Sequence, residues 1–363
     1  MHDTECKKLL FHFLLGVGIF LFLSAMIVYL VDPFFHYHGP WFGLDAVQDE
    51  KEHQITGVLA HVDHDSVLLG SSTVMSINTD VLDNRFLCKT VKAVGSSAPA
   101  PYLNECLRRA FEGYELKYVF YALEVFSFYF DPDMEVFADD VQYLTNENPF
   151  DDVKYLWNGE LIGEKIPDMI RITRAHNYSW GMAYNFNQYE ELGPEVALES
   201  WEPACESEVE QYPWDYEWDY VQENVNRLEE MVASHPETEF LFLLPPYSIL
   251  WWDRAYNRGL LETYEHTLKY AMEVLLQYEN VSIFSTYFNS AEVITDLYLY
   301  MDLAHAGPEV TDRMAMELGY EQLEITLDSY EEEVDALLDL YAEFRERVKS
   351  EGYDFLYEPG GMK

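Results

Sequence analysis

The chain is 363 residues long and 49% hydrophobic, enough for one large domain or two small ones with a sizeable core. Its 66 acidic against 22 basic residues give a formal net charge of −44, which argues against general binding to nucleic acid or to an anionic membrane surface. Repulsion is screened beyond about 8 Å at physiological salt, so an anionic polymer is disfavoured as a partner without being excluded, and the charge local to the site decides.

Residues 1–8 are polar and carry Lys7 and Lys8, and Leu9–Val31 follows without a charged residue. At about 1.5 Å per residue this stretch makes a helix of roughly 34 Å, long enough for a hydrocarbon core of about 30 Å. A cleaved signal peptide is the competing reading, but the run exceeds the usual apolar length, and Val31-Asp32-Pro33-Phe34-Phe35 lacks a small-residue cleavage pattern. An uncleaved anchor over residues 9–31 is therefore expected. No Lys or Arg occurs from Asp32 to Glu50, so the positive-inside rule predicts a single-pass cell-membrane protein with residues 1–8 inside and 32–363 outside. In the juxtamembrane segment 32–60, Phe34, Phe35, Tyr37 and Trp41 either sit at the outer interface or pack on the folded domain.

Beyond the anchor, short apolar runs alternate with helical patterns. Strands are expected at Ser66–Leu69, Thr90–Val94, Tyr118–Leu123, Glu239–Leu244 and Val281–Phe284. Helices are expected near Pro101–Phe111, Asp219–Ser234, Leu260–Tyr278 and Pro308–Leu318. This alternation predicts an α/β fold: a parallel sheet covered on both faces, binding ligands outside the carboxyl ends of its strands. Ser72, Gly95, Glu124, Pro245 and Tyr247 follow such ends and are expected on one rim. An α/β domain over 61–320 is interrupted at about 131–216. That insertion and its flank hold Trp157, Trp180, Trp201, Trp214 and Trp218 beside many carboxylates, a mixture that either stacks on sugar rings or packs as core and rim. The tail 321–363 contains a helical pattern over Asp328–Ser350, whose apolar face packs on the domain or dimerises.

Two stretches carry chemistry. Asp65–Thr73 reads as a buried strand, Val67-Leu68-Leu69, ending in Gly70-Ser71-Ser72-Thr73, where a hydroxyl in the following turn lies near helix N-terminal N–H groups. The alternative is an ordinary serine N-cap. Tyr300–Pro308 contains Asp302 and His305 three apart before a helix opened by Pro308, a spacing that lets the carboxylate fix the imidazole tautomer or that forms only a surface pair. His36, His38, His53, His61 and His64 lack a supporting carboxylate pattern, so no metal is expected. Neither a phosphate loop nor a dinucleotide fingerprint is evident, and no cofactor is expected. Cys6 belongs to the inner side or the membrane. Cys88, Cys106 and Cys205 leave room for one disulfide but no framework.

These blocks resemble the SGNH/GDSL hydrolase superfamily over roughly residues 45–320. The resemblance implies a flavodoxin-like three-layer α/β fold, Ser72 as nucleophile with Ser71 in the family's Asp position, His305 as general base and Asp302 as its orienting acid. It also implies Gly95, in Val94-Gly95-Ser96-Ser97, as an oxyanion-hole backbone donor. The departure is Glu124 in Ala122-Leu123-Glu124-Val125, where the family usually has an Asn; an ionised carboxylate cannot donate to an oxyanion. Glu124 is expected to turn away, or to cap a local loop, with a third donor from the backbone or from Asn78, Ser97 or Ser248. Tyr247 and Ser248, in Pro245-Pro246-Tyr247-Ser248, and the Asp32-Pro33-Phe34-Phe35 stretch look like features of a bacterial subgroup, and the N-terminal anchor with the Gly-Ser-Ser variant looks like a membrane-tethered bacterial subset. Some members of that subset transfer acyl or alanyl groups to surface polymers. The resemblance implies a serine esterase or acyltransferase acting on an acylated cell-surface glycan or polymer, with a membrane-bound acyltransferase as a partner. A catalytically weak or inactive surface binding or assembly protein is the alternative.

Overall fold

The computed structural model describes residues 2–46, 50–146, 148–175, 179–199, 201–203, 209 and 211–362. They form two units, one of residues Met1–Asp63 with Phe137–Trp180, the other of His64–Val136 with Gly181–Lys363. The expected insertion is therefore divided: 137–180 fold with the N-terminal segment, while 181–216 belong to the α/β unit. Cys205 lies outside the described residues; Cys88 and Cys106 are buried free thiols.

The second unit is built on six strands, β1 (Ser66–Gly70), β2 (Thr90–Val94), β3 (Tyr118–Ala122), β4 (Glu239–Leu243), β5 (Val281–Phe284) and β6 (Glu324–Ile325). Their order is β2-β1-β3-β4-β5-β6, with every pair parallel except β5 with β6. Val67 pairs with Val91 on one side and Val119 on the other. All five residues of β1 and of β2 are buried, the mark of strands covered on both faces. The two residues of β6 are too few to show an alternation, which is why this antiparallel edge went unexpected. The order reverses between β1 and β3, so the crevice outside their carboxyl ends is where such a sheet binds ligands.

Helix Ala100–Gly113 packs on β1 and β2 through Leu103, Cys106, Leu107 and Ala110, one stripe of a 3.6-residue period. Helices Trp218–Ser234, Leu261–Leu275 and Pro308–Glu317 cover the expected segments within a few residues. Helix Tyr330–Glu351 buries Val334, Leu337, Leu340, Tyr341 and Phe344 and packs against Leu261–Leu275, so its apolar face is spent within the domain. The helices Thr79–Phe86, whose N-cap Asn78 accepts from Asp80 N, and Ile249–Asn257 are only 8 and 9 residues long and were not anticipated.

In the first unit, helix His2–Val31 contains Thr4–Val31, long and apolar enough to cross a membrane by length and composition. At its end Asp32 adopts φ 45°, and its carboxylate accepts the N–H groups of His36, Tyr37 and His38 at 3.0, 2.7 and 2.9 Å. Tyr155 OH also donates to it at 2.7 Å and accepts Phe34 N–H. Burial pushes the Asp32 carboxyl up despite these bonds. Phe34 and Phe35 are 3% and 0% exposed, so they are core residues rather than interfacial anchors, whereas Trp41 remains exposed. Phe34 shares its cluster with Val28, Tyr143, Leu144, Tyr155 and Leu161.

Candidate active site

Strand β1 ends at Gly70, where a Cβ would collide with the Val74 side chain and come within 2.7 Å of Ala122 Cβ. Only glycine lets the chain turn this close to β3. Ser71 is extended and caps the single turn Ser72–Met75, its Oγ accepting from Thr73 N. The turn leaves Ser72 partly exposed at the carboxyl edge of the sheet.

The loop after β5 brings the imidazole to it. Asp302 Oδ1 accepts the N–H groups of Ala304 and His305 at 2.7 and 2.8 Å, which folds the loop onto its own carboxylate and leaves Oδ2 to take His305 Nδ1 at 2.6 Å. His305 Nε2 lies 2.7 Å from Ser72 Oγ. A carboxylate only accepts, so Nδ1 carries the hydrogen and Nε2 presents its lone pair to the Ser72 hydroxyl. Burial works against ionisation of Asp302, yet the bond from His305, its charge and the two backbone N–H groups together hold the carboxyl below the usual range. A bridge between Tyr300 and Ala306 closes the loop, and the Phe186 ring meets the imidazole edge-on at 5.5 Å.

Glu124 does not face the cavity. It is fully buried, with Oε2 accepting Ser71 N–H at 2.7 Å and Oε1 accepting the hydroxyls of Ser71, Thr73 and Tyr247 at 2.6, 2.6 and 2.9 Å. Its carboxylate is the anchor beneath the turn that carries Ser72. Burial without a cation pushes its pKa up.

The expected oxyanion donors are distributed differently from the family pattern. Gly95 N–H is donated to Gly70 O at 3.2 Å, and a Cβ on Gly95 would meet the Tyr102 ring at 3.0 Å, so this glycine continues the β1–β2 ladder and permits close packing. Ser248 is buried and gives its hydroxyl to Leu303 O at 2.7 Å; Asn78 caps its helix. Ser97 lines the cavity in a left-handed conformation, φ 46°. The N–H groups of Ser72 and Ser97 have no acceptor among the described residues.

A cavity of about 410 Å³ opens over Ser72 and His305. One wall is a stack of rings, Tyr247 on Trp251 at 4.1 Å and Trp251 on Tyr264 at 5.6 Å, joined by Phe126 and Phe130. Arg254 and Arg258 also line it. Sequence reasoning named neither arginine. The available signal was two cations four apart on one helical stretch of a strongly acidic chain, a pair that repels itself unless something between them is negative. Of the tryptophans in the aromatic, acidic stretch, none lines this cavity; Trp157 and Trp214 are exposed, and Trp201 donates to Asp253 at 3.0 Å. Among the described residues no group of three or more His, Cys, Asp or Glu is placed to hold a metal ion.

No family model matches the chain, and no curated protein matches it. A solved structure from Streptococcus pneumonia, described provisionally as a platelet activating factor, aligns over 81% of this chain and 92% of its own, with 11% identity and a TM-score of 0.35. That likeness is too distant to carry an argument about chemistry.

Proposed function

We propose that this protein is a serine esterase or acyltransferase of the SGNH/GDSL type, with a flavodoxin-like fold, acting on an acylated cell-surface glycan or polymer. The observation that carries the reading is the continuous relay Asp302 Oδ2, His305 Nδ1, His305 Nε2, Ser72 Oγ, with contacts of 2.6 and 2.7 Å. Ser72 Oγ attacks the acyl carbonyl while His305 Nε2 takes its proton, and Asp302 holds the tautomer and stabilises the imidazolium. The Ser72 and Ser97 N–H groups, both lacking an acceptor, are the candidate donors to the oxyanion. As the tetrahedral intermediate collapses, the ester C–O bond breaks and His305 returns the proton to the departing alcohol. Water or a polymer hydroxyl then takes the acyl group from Ser72 by the same steps in reverse.

The two departures from the family blocks support one another. Ser71 stands where the family has an acid and Glu124 where it has an amide, and Ser71 bonds Glu124 through both its N–H and its hydroxyl. The acid has changed sides of a contact, and the missing Asn no longer argues for an inactive site. The anchor, with Lys7 and Lys8 at its start, would hold the α/β unit outside the membrane.

A fluorophosphonate probe on the full-length protein in detergent tests the chemistry. Covalent labelling is expected at Ser72 and absent in Ser72→Ala. Labelling that persists in Ser72→Ala, or that never occurs in the folded wild type, would refute the serine mechanism and favour a surface binding protein.

A further inference from the structure

In a chain with three acidic residues for every basic one, a guanidinium ordinarily finds a carboxylate. Arg108 and Arg109 both meet Glu105, Arg227 meets Asp133, Arg345 meets Asp253 and Arg347 meets Glu351. Arg254 and Arg258 form no ion pair among the described residues, and unlike Arg85 and Arg174, which form none either, they line the cavity over Ser72. They sit four apart, at the last turn of helix Ile249–Asn257 and at its C-cap. A helix C-terminus favours a nearby cation, which accounts for one arginine there but not for two like charges beside each other. Arg254 is half-buried, and burial together with the charge of Arg258 holds its guanidinium below the usual range. Both effects penalise the empty arrangement, and a bound anion would relieve both.

The carboxylate among the described lining residues, Asp302, acts on Arg254 through its charge but forms no ion pair with it. Asp302 spends both oxygens on His305 and its own loop, and Glu124 is sealed beneath the serine turn. The walls thus carry two cations without an ion pair among the described residues, Arg254 half-buried and Arg258 exposed, in a protein of net charge −44. Such a local reversal of sign draws an anion to one place and repels it elsewhere. The planar guanidinium fork matches the paired oxygens of a carboxylate or a phosphate.

We infer that Arg254 and Arg258 form an anion subsite in the same cavity as the nucleophile, and that the ester attacked by Ser72 carries a carboxylate or phosphate group. The substrate class rests on the serine-ester reading; the anion subsite does not. The rings of Tyr247, Trp251 and Tyr264 supply apolar surface to the body of the same molecule. Overall acidity then selects against long anionic surfaces in general, while the cavity accepts one anionic group.

Two experiments on the full-length protein in detergent separate these claims. The first is isothermal titration of Ser72→Ala, which needs no catalysis, with succinate, inorganic phosphate and neutral succinamide. Succinate or phosphate is expected to bind and succinamide not, and the tighter of the two anions identifies the group. Adding Arg254→Gln and Arg258→Gln is expected to weaken anion binding about 10- to 100-fold, while Arg254→Lys with Arg258→Lys retains part of it, which excludes misfolding as the cause. Binding that is absent in Ser72→Ala, or unchanged by the two glutamines, overturns the subsite. The second is the ratio of kcat/KM for 4-nitrophenyl hemisuccinate over 4-nitrophenyl acetate. If succinate is the better ligand, the ratio is expected to exceed about 10 in the wild type and to fall toward 1 with both glutamines, whatever the absolute rates. If phosphate is, an acetyl ester bearing a phosphate monoester replaces the hemisuccinate. A wild-type ratio near 1 for the matching anion overturns the substrate class. Anion binding without hydrolysis of any ester would leave the subsite standing and remove the serine-ester reading.

Discussion

Glu124→Ala removes the acceptor of four hydrogen bonds at once, those from Ser71 N–H, Ser71 Oγ, Thr73 Oγ1 and Tyr247 OH at 2.6–2.9 Å. Each bond to a charged acceptor contributes about 1.5–3 kcal/mol, and burying a carboxylate without a cation costs several kcal/mol in the other direction. After deletion the three hydroxyls can rotate toward other partners, but the Ser71 N–H is fixed by the backbone and stays unpaired. The net loss is expected at about 3–5 kcal/mol, as when one partner of a buried charged network is removed, out of a total near 5–15 kcal/mol. Glu124→Gln can keep its carbonyl on Ser71 N–H and turn its NH₂ toward the hydroxyl cluster, whose oxygens can accept; about 1–2 kcal/mol is expected. Glu124→Asn is one methylene shorter and should lower activity rather than restore it, unless Ser71→Asp accompanies it and returns an acid to the contact.

The pH dependence has a definite sign. Burial raises the folded pKa of Glu124 above its unfolded value, so between the two the folded state holds the extra proton, and this group's contribution to stability falls as pH rises through that window. Glutamine has no such dependence, so Glu124→Gln should lose less, relative to wild type, at pH 7 than at pH 4. Urea unfolding of the full-length protein gives the midpoints at constant m, and the second-order rate of fluorophosphonate labelling reads the Ser72 turn. Wild-type stability and labelling in Glu124→Ala would refute the anchor. Faster labelling in Glu124→Asn alone would restore the family reading, in which position 124 faces the oxyanion.

Lys92, in β2, is 3% exposed, donates to Met75 O and Ala183 O, and is pushed down to about 7 by burial. The unfolded chain therefore binds one more proton than the folded one from about pH 7 up to the ordinary lysine range, and stability gains roughly 2–3 kcal/mol from this group between pH 7 and 9. Lys92→Met should flatten that rise in urea unfolding, and parallel curves for the two proteins would show that Lys92 stays charged when folded. For topology, a C-terminal alkaline phosphatase fusion is expected to be active and a cytoplasmic reporter silent, with the reverse result refuting the orientation read from Lys7 and Lys8.

Strands β1 to β5 were legible because a mostly buried parallel strand is a short, largely apolar run, as Val67-Leu68-Leu69 is in β1, even where Lys92 interrupts the run in β2. Ser72 was legible for a related reason, since it lies just beyond the end of β1, whereas Asp302 and His305 come after β5 and two short helices and were read from their spacing before Pro308. The Asp32 turn was not. Its partner Tyr155 is 123 positions away and belongs to a stretch of helices only three to ten residues long, too short for much of a period to show. For Phe34 and Phe35 the sequence therefore left membrane interface and packing on the folded chain both open, and their burial selects the packing.

Glu124 and the arginines mark a different boundary. A residue type states what a side chain can donate or accept, and the sequence made plain that a carboxylate at position 124 could not serve as an oxyanion donor. It could not state what lies within 3 Å, because the donors at 71, 73 and 247 converge only once β1, β3 and the loop after β4 are side by side. For Arg254 and Arg258 the missing knowledge was a negative one, that they form no ion pair among the described residues, which shows only once the surrounding side chains have been placed. In a chain this acidic, two arginines without an ion pair share the nucleophile's cavity, and its lining carboxylate, Asp302, is bound to His305 and its own loop, which leaves the guanidinium groups to an anionic group that enters.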